Sequence, residues 1–179
     1  MSTWIVFLRA VNVGGRAYPM AELRSVLTEA GYGDVETHIQ TGNVRLTSPV
    51  RSRAKLETAL EDLFEADRGF SVATVALTPG ELTQVAADAT VLAEASPAAY
   101  GHYVSLVKAA PAAADAKRVE ALSRDGERIY LRGRAVHLLL DIPYGTAKVS
   151  NAAIEKILGP ATNRNLKVIT ALAEKWADR

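Results

Sequence analysis

The residues best suited to chemistry lie first in the stretch 9–16, where Gly14-Gly15 follows Asn12 and an arginine, Arg9 or Arg16, stands at each end. Paired glycines adopt positive φ and leave backbone amides uncovered, and uncovered amides attract anions. The stretch lacks the further glycines of a dinucleotide fingerprint and the Gly-Lys-Ser/Thr ending of a phosphate loop. It therefore predicts an anion-binding loop in outline. The alternative is a plain strand-to-helix turn, which needs glycine and asparagine only for its shape.

A second group of polar residues occupies 144–151 and 162–167, just before or within the first turn of two predicted helices. Helix capping explains its hydroxyl and amide side chains, which are Thr146, Ser150, and Asn163 or Asn165. Capping does not explain its cations, which are Lys148, Arg164 and Lys167. Cations oppose the positive end of a helix unless something negative lies between them. The group therefore predicts a bound anion, and the alternative is a set of exposed cations that only aid solubility.

Metal binding and catalysis find less support. The three histidines, His38, His102 and His137, fall on separate predicted strands without the spacing of a ligand pair, so we expect no metal site. His137 and Asp141 should face the same way on one strand, and we expect them to form a surface pair. No serine, histidine and acid series stands at a recognisable spacing, and we assign neither a catalytic mechanism nor a cofactor.

The bulk composition is that of a globular chain. The 179 residues include 21 Lys+Arg, 20 Asp+Glu and no cysteine, which excludes disulfides, thiolate nucleophiles and a general attraction to nucleic acid. Any phosphate partner must be held locally. The chain starts directly with an apolar strand, without a signal peptide, and has no apolar run of membrane-spanning length. We expect a cytoplasmic protein that does not enter a membrane.

The first half of the chain predicts six elements in the order strand, helix, strand, strand, helix, strand. Residues 3–8 are apolar on both faces, which indicates a central strand. Pro19 should open the first helix and Gly31 should end it, and the second helix should end near Gly69. The other three strands are predicted at 35–40, 44–48 and 70–77. This order is that of the split β-α-β, or ferredoxin-like, arrangement.

That topology brings two distant stretches together. The first and second strands should run in the same direction, so their carboxyl ends share one edge of the sheet. The loop 9–16 should therefore lie beside the turn 40–43, which contains Gln40, Gly42 and Asn43. We expect Arg9, Asn12, Gly14, Gly15, Gln40 and Asn43 to line one pocket.

The pattern then returns in the second half. A capping box at 78–81 should open a short helix that ends about Ala87, and 88–101 should connect the halves. Further elements are predicted as a strand at 102–107, a helix at 112–122, a hairpin of 127–131 and 135–142, a helix at 149–158, a strand at 161–163 and a helix through Leu166 and Trp176. The predicted fold is α+β, with tandem ferredoxin-like pseudo-repeats, largely antiparallel sheets and an extra C-terminal helix. Its parts are 1–87, 88–101 and 102–179, within one compact body.

Three motifs give the chain a resemblance over nearly its whole length. They are Phe-Leu-Arg-Ala-Val-Asn-Val-Gly-Gly with Pro-Met-Ala-Glu-Leu, Thr-His-Ile-Gln-Thr-Gly-Asn-Val, and Ala-Lys-Val-Ser-Asn-Ala-Ala-Ile-Glu-Lys with Ala-Thr-Asn-Arg-Asn. In these the chain resembles the bacterial family called domain of unknown function 1697. The resemblance implies that its recurrent polar positions are Arg9, Asn12, Gly14, Gly15, Gln40, Gly42, Asn43, Lys148, Asn151, Arg164 and Asn165. Ala10, Ala147 and Leu166 depart from the family's usual glycine, serine and aromatic residue. The family implies positions but no reaction.

The leading hypothesis is a binding module or an enzyme for a small metabolite that carries phosphate or carboxylate, nucleotides included, which is held at the Gly14-Gly15 loop. Its countercharges would be Arg9, Arg16, Lys148 and Arg164. A second hypothesis is a regulatory or assembly module without catalytic activity, which forms a homodimer through its sheets. A third is single-stranded nucleic acid stacked on a sheet face, but Phe7 has no aromatic partner on 44–48.

Overall fold

The structure is a computed structural model, and it describes residues 1–177 of the 179-residue chain. The described part is α+β, with two four-stranded antiparallel sheets and six α-helices. It divides into two compact units. The first comprises residues 1–82 with residues 176–177, and the second comprises residues 83–175. No helix among residues 1–177 is long and apolar enough to cross a membrane.

The sheet of the first unit has the strand order β2-β3-β1-β4. Its strands are β1 (Ser2–Leu8), β2 (Gly33–His38), β3 (Asn43–Ser48) and β4 (Thr74–Leu77), and its helices are α1 (Met20–Glu29) and α2 (Arg53–Arg68). Trp4, Val6 and Leu8 of β1 pack into a core with apolar side chains of both helices. Ile5 and Phe7, on the opposite face, are also fully buried. The prediction of a central strand covered on both faces is therefore confirmed.

Local signals set the ends of the first two helices. Gly31, just after α1, and Gly69, at the end of α2, have φ of +88° and +73°, the left-handed conformation that ends helices. Ser52 caps α2, because its side chain accepts a hydrogen bond from the backbone N–H of Lys55. Strand β4 is shorter than predicted and begins at Thr74, since its partner β1 ends at Leu8, directly opposite.

The third helix corrects the sequence prediction. α3 spans Pro79–Glu94, whereas we expected it to end about Ala87 and to give way to a connecting segment. Its start is as predicted: Thr78 Oγ1 accepts from Glu81 N, and Glu81 Oε2 accepts from Thr78 N. Alanine-rich sequence continues past Ala87, and alanine is the best helix former. Buried Ala89 and Leu92 extend the apolar stripe at helical spacing.

The second unit repeats the strand order, as β6-β7-β5-β8. Its elements are β5 (Gly101–Val107), α4 (Ala113–Glu120), β6 (Glu127–Arg132), β7 (Ala135–Leu140), a 3₁₀ turn (Tyr144–Thr146), α5 (Asn151–Leu158), β8 (Ala161–Asn165) and α6 (Leu166–Trp176). β8 is longer than predicted because Arg164 and Asn165 still pair with β5, opposite Val104 and Tyr103.

The last residue of α6 belongs to the first unit. Trp176 is fully buried, and its Nε1 donates to Glu36 of β2 at 3.2 Å. Its ring packs edge-on against His38, with 6.3 Å between the ring centroids. The first unit is therefore built from two stretches that lie far apart in the sequence.

Candidate functional site

The loop 9–16 and the turn 40–43 lie side by side at one edge of the first sheet. Leu8 N donates to the carbonyl of Gly42 at 2.8 Å, and Asn12 Nδ2 donates to the carbonyl of Gln40 at 2.6 Å. A Cβ at Gly42 would stand 2.7 Å from side-chain atoms of both Leu8 and Val11. This position therefore requires glycine for close approach as well as for its φ of +75°.

Asn12 organises the loop from within. Besides Gln40, its Nδ2 donates to the carbonyl of Tyr18 at 2.9 Å, and its Oδ1 accepts from Tyr18 N at 2.7 Å. Its backbone N–H donates to the carbonyl of Arg16 at 2.8 Å. The Asn12 side chain thus ties the two ends of the loop to each other and to the turn.

Arg16 is also used by the loop itself. Its Nε donates to the carbonyl of Ala10 at 2.8 Å, and its Nη2 donates to the carbonyl of Ser71. Its guanidinium carbon lies 4.5 Å from the centroid of the Phe70 ring, a cation–π contact. Arg9 is half-buried, and its backbone N–H donates to the carbonyl of Ala73. The Arg16 charge therefore clamps the loop.

Backbone strain is concentrated at this edge. Among residues 1–177, four non-glycine residues have positive φ, and Ala10, Asn12 and Ile39, at +53°, +57° and +50°, are three of them. A β-branched residue in this conformation is a genuine outlier. The backbone N–H groups of the exposed segment 13–15 donate to no group in the described chain, and nothing lies within 4 Å of where a Cβ would stand on Gly14 or Gly15.

The turn residues differ in their exposure. Gln40 and Thr41 are exposed, whereas Asn43 is fully buried. Asn43 Nδ2 donates to the carbonyl of His38 and to Thr41 Oγ1, both at 3.0 Å. The buried Asn43 side chain therefore holds the turn in shape, whereas the Gln40 side chain is accessible to solvent.

In the second unit, a buried carboxylate on β6 binds the backbone of the segment before α5. Glu127 is 3% exposed, and its carboxylate accepts from Lys148 N at 3.1 Å and from Val149 N at 2.6 Å. Burial alone would raise the pKa of Glu127, but these two N–H groups and the charges of Arg124 and Lys148 hold that pKa below its ordinary value. The protein thus supplies one negative group beside Lys148 from its own chain. Sequence reasoning missed Glu127, because no local pattern links it to a loop 21 residues later.

Asn151 joins a polar network beneath α5. Its Oδ1 accepts from Ser105 Oγ at 2.7 Å, and its Nδ2 donates to the carbonyl of Ala161 at 2.9 Å. Asn163 Nδ2 donates to the same serine hydroxyl at 3.0 Å. The network fastens α5 to β5 and β8, and sequence analysis did not include Ser105.

Of the remaining candidates, Arg164 and Asn165 lie on β8, and Lys148 lies just before α5. Arg164 is 7% exposed, and its Nη1 donates to Thr162 Oγ1 and to the carbonyl of Asn163, both at 2.7 Å. Burial lowers the pKa of Arg164 to about 10. Asn165 caps α6, since its Oδ1 accepts from Val168 N at 2.9 Å. The side chain of Lys148 is exposed.

The expected surface pair of His137 and Asp141 is wrong. His137 is fully buried, and its Nδ1 lies 3.1 Å from Nε2 of His102, which is 8% exposed. Asp141 instead forms two hydrogen bonds with Arg128, at 2.7 and 2.8 Å. Val104 stands opposite His137 in the β5–β7 register, so His102 is its diagonal neighbour, which only the register reveals. Burial lowers the pKa of His102 to about 4 and that of His137 to about 3, the latter also through His102 and Arg132.

These contacts bring one group of candidates together within the first unit. In the first unit the structure gathers Arg9, Asn12, Gly14, Gly15, Arg16, Gln40, Gly42 and Asn43 at one edge. In the second unit, Asn151 and Arg164 have hydrogen-bond partners within their own unit. Among residues 1–177, no group of three or more His, Asp or Glu side chains could hold a metal ion.

Comparison with known proteins identifies a family and a fold. A family model described as "Protein of unknown function (DUF1697)" matches residues 1–137. The solved structure of conserved bacterial protein SP0830 from Streptococcus pneumoniae is similar, with a TM-score of 0.75, 24% identity and 98% coverage of each chain. At that identity the likeness concerns the fold alone. No curated protein matches the chain.

Proposed function

The chain belongs to the DUF1697 family of proteins of unknown function, and we propose that it binds a small anionic ligand, which carries phosphate or carboxylate, at the loop 9–16. The observation that carries the proposal is the concentration of strained backbone around amides without acceptors. Ala10, Asn12 and Ile39 are left-handed there, beside the N–H groups of 13–15. Strain of this kind costs about 1–3 kcal/mol per residue and clusters at ligand clamps.

The polar surroundings favour an anion over a neutral ligand. Consecutive backbone N–H groups in turn conformations form concave sites that attract negative charge. Arg9 and Arg16 flank the loop and add positive potential, although the Arg16 guanidinium also holds the carbonyls of Ala10 and Ser71. The space around Gly14 and Gly15 leaves room for a ligand oxygen to approach the backbone.

That polar residues of the second unit also contact the ligand stays a prediction. Lys148 and Arg164 were expected as further countercharges, with Asn151 and Asn165 beside them. Glu127 and the Ser105 hydroxyl account for part of that polarity. We also infer that each unit is a ferredoxin-like repeat, which the orders β2-β3-β1-β4 and β6-β7-β5-β8 support. The cytoplasmic location is likewise a proposal, and cell fractionation would test it.

Backbone amide shifts on titration with inorganic phosphate, acetate and adenosine monophosphate test the proposed site. We expect saturable shifts at Val13, Gly14 and Gly15. Arg9→Gln should weaken the binding about tenfold, whereas Arg51→Gln, which removes the charge of an exposed arginine, should not. A ligand at a hundredfold excess over its Kd should also stabilise the fold by about 2.7 kcal/mol. Unchanged amide shifts with all three probes would exclude an anion site at this loop.

A second candidate function is assembly through the same edge. Val13 and Ile39 are large apolar side chains with 55% and 45% exposure. They adjoin Asn12 and Gln40, whose contact joins loop and turn. A homodimer would bury them, and sedimentation would show a dimer that Ile39→Asp converts to a monomer. A monomer at all concentrations would remove this candidate.

Nucleic-acid binding by stacking is the third candidate, and no specific contact favours it. Trp4 and Phe7, the two aromatic residues of β1, are buried and cannot stack on a base. Retention of single strands at several salt concentrations would test it, because phosphate contacts give a steep salt dependence.

A further inference from the structure

Two exposed apolar side chains lie beside the loop that is proposed to bind an anion. Val13 is 55% exposed and Ile39 is 45% exposed, and neither belongs to the described core of the first unit. The backbone N–H of Val13 is one of the three loop amides without an acceptor in the described chain. Ile39 is joined to the same place through its neighbour, because the carbonyl of Gln40 accepts from Asn12 Nδ2 at 2.6 Å. The two apolar side chains and the unpartnered amides therefore share one edge of the sheet.

Ile39 occupies a position that suits it poorly in two respects. Its φ of +50° is left-handed, a conformation that a β-branched residue avoids and that asparagine or glycine adopts readily. Nearly half of its surface also remains in water, so the folded chain gains only part of what burial of an isoleucine can give. An asparagine would serve the turn with less strain and better hydration. The isoleucine is therefore explained by a contact that the folded chain alone does not provide.

The size of this apolar surface distinguishes between two kinds of contact. A stable interface between two proteins buries about 800 Å² on each partner. Two isolated side chains cover far less than that, but they suffice for a hydrocarbon chain of a few carbons. A ligand with its anionic group at the amides of 13–15 would carry such a chain next to Val13 and Ile39. The surface therefore fits the apolar part of a small anionic ligand better than it fits a second copy of the chain.

We propose that the ligand of the loop 9–16 is an amphipathic anion, a phosphate or carboxylate with a short hydrocarbon chain that packs against Val13 and Ile39. This inference rests on the proposed anion site and specifies the class of molecule that the site selects. Each methylene group that leaves water on binding tightens the binding about fourfold. The affinity therefore grows with the length of the chain attached to one and the same charged group, which a site for the anion alone would not show.

Ethyl phosphate and butyl phosphate are the probes, because they carry the same charged group on hydrocarbon chains of different length. The backbone amide shifts of the full ¹⁵N-labelled chain at Val13, Gly14 and Gly15 report the affinity for each probe. We expect butyl phosphate to bind at least about fourfold more tightly than ethyl phosphate, which corresponds to one fully buried methylene group.

Ile39→Asn removes the apolar contact and keeps the turn, since asparagine tolerates a left-handed backbone. The variant should fold at least as stably as the unmodified chain, and its affinity for ethyl phosphate should stay the same. Its affinities for ethyl and butyl phosphate should become equal to within about twofold. Val91→Asn is the matched control, because Val91 lies on α3 and is 64% exposed, and it should leave the preference for butyl phosphate unchanged.

Equal affinities for ethyl and butyl phosphate in the unmodified chain would overturn this inference and leave the anion site in place. A preference for butyl phosphate that survives in Ile39→Asn would overturn it as well. No shift with either ester or with inorganic phosphate would remove the anion site itself. A dimer that Ile39→Asn dissociates would assign the two side chains to assembly instead. Cosedimentation with phosphatidate vesicles, without any shift from butyl phosphate, would assign them to a lipid surface.

Discussion

Replacing the buried carboxylate before α5 tests how the second unit is held together. In Glu127→Gln, the side chain keeps its size, but one carboxylate oxygen becomes an NH₂ group that faces backbone donors. The wild-type carboxylate accepts from Lys148 N and Val149 N, and it is 3% exposed. A hydrogen bond to a charged group contributes about 1.5–3 kcal/mol, and a buried donor left without an acceptor costs about 1–3 kcal/mol. We therefore expect the free energy of unfolding to fall by about 2–4 kcal/mol.

Urea unfolding at pH 7 measures this loss. Glu94→Gln is the matched control, since it removes the same charge from an exposed position and should change stability by less than about 0.5 kcal/mol. The loss in Glu127→Gln should shrink as the pH falls toward the depressed pKa of Glu127, because the wild-type carboxylate then takes up a proton and gives up the same contribution. Equal stabilities of the two variants at pH 7 would refute the assignment of Glu127 as the anion that holds this segment.

Three further predictions concern particular backbone and titration features. Gly42→Ala should lower the free energy of unfolding by urea by about 2–4 kcal/mol, because the new Cβ would stand 2.7 Å from two side chains. Gly14→Ala, whose Cβ would stand in open space, should lower it by about 1 kcal/mol, and equal losses would contradict this reasoning. Ala10→Gly should raise the melting temperature through relief of a left-handed alanine worth about 1 kcal/mol, and a lower melting temperature would contradict it. His102 and His137, with pKa values of about 4 and 3, contribute stability that is present above their unfolded pKa and is lost as the pH falls. The free energy of unfolding should therefore be about 4 kcal/mol lower at pH 5 than at pH 7, and no change would refute the buried neutral pair.

The sequence predicted the elements where local signals decide the structure. Gly31, Gly69 and the capping box at 78–81 act over one helical turn, and each takes the role expected of it. Pro19 was expected as the first helical residue, but its ψ of 133° is not helical, and α1 begins at Met20. Topology alone also predicted that loop 9–16 approaches turn 40–43. The hydrogen bond between Leu8, just before the loop, and Gly42 in the turn agrees with this prediction.

What escaped prediction depends on which side chains meet across the fold. The His102–His137 pair requires the β5–β7 register, and Glu127 meets its partners only after α5 has packed. An inward arginine such as Arg16 resembles an exposed one in sequence, because the Phe70 ring beneath it comes from another segment. The extension of α3 to Glu94 was missed because Ala-rich sequence also suits a linker.

The place of Trp176 affects how this polypeptide matures. The Trp176 side chain packs against His38 and donates to Glu36, both on β2 of the unit whose first strand begins at Ser2. During synthesis, β2 cannot gain these contacts until residue 176 has left the ribosome. A chain cut before Trp176 would therefore lose contacts that belong to the N-terminal unit.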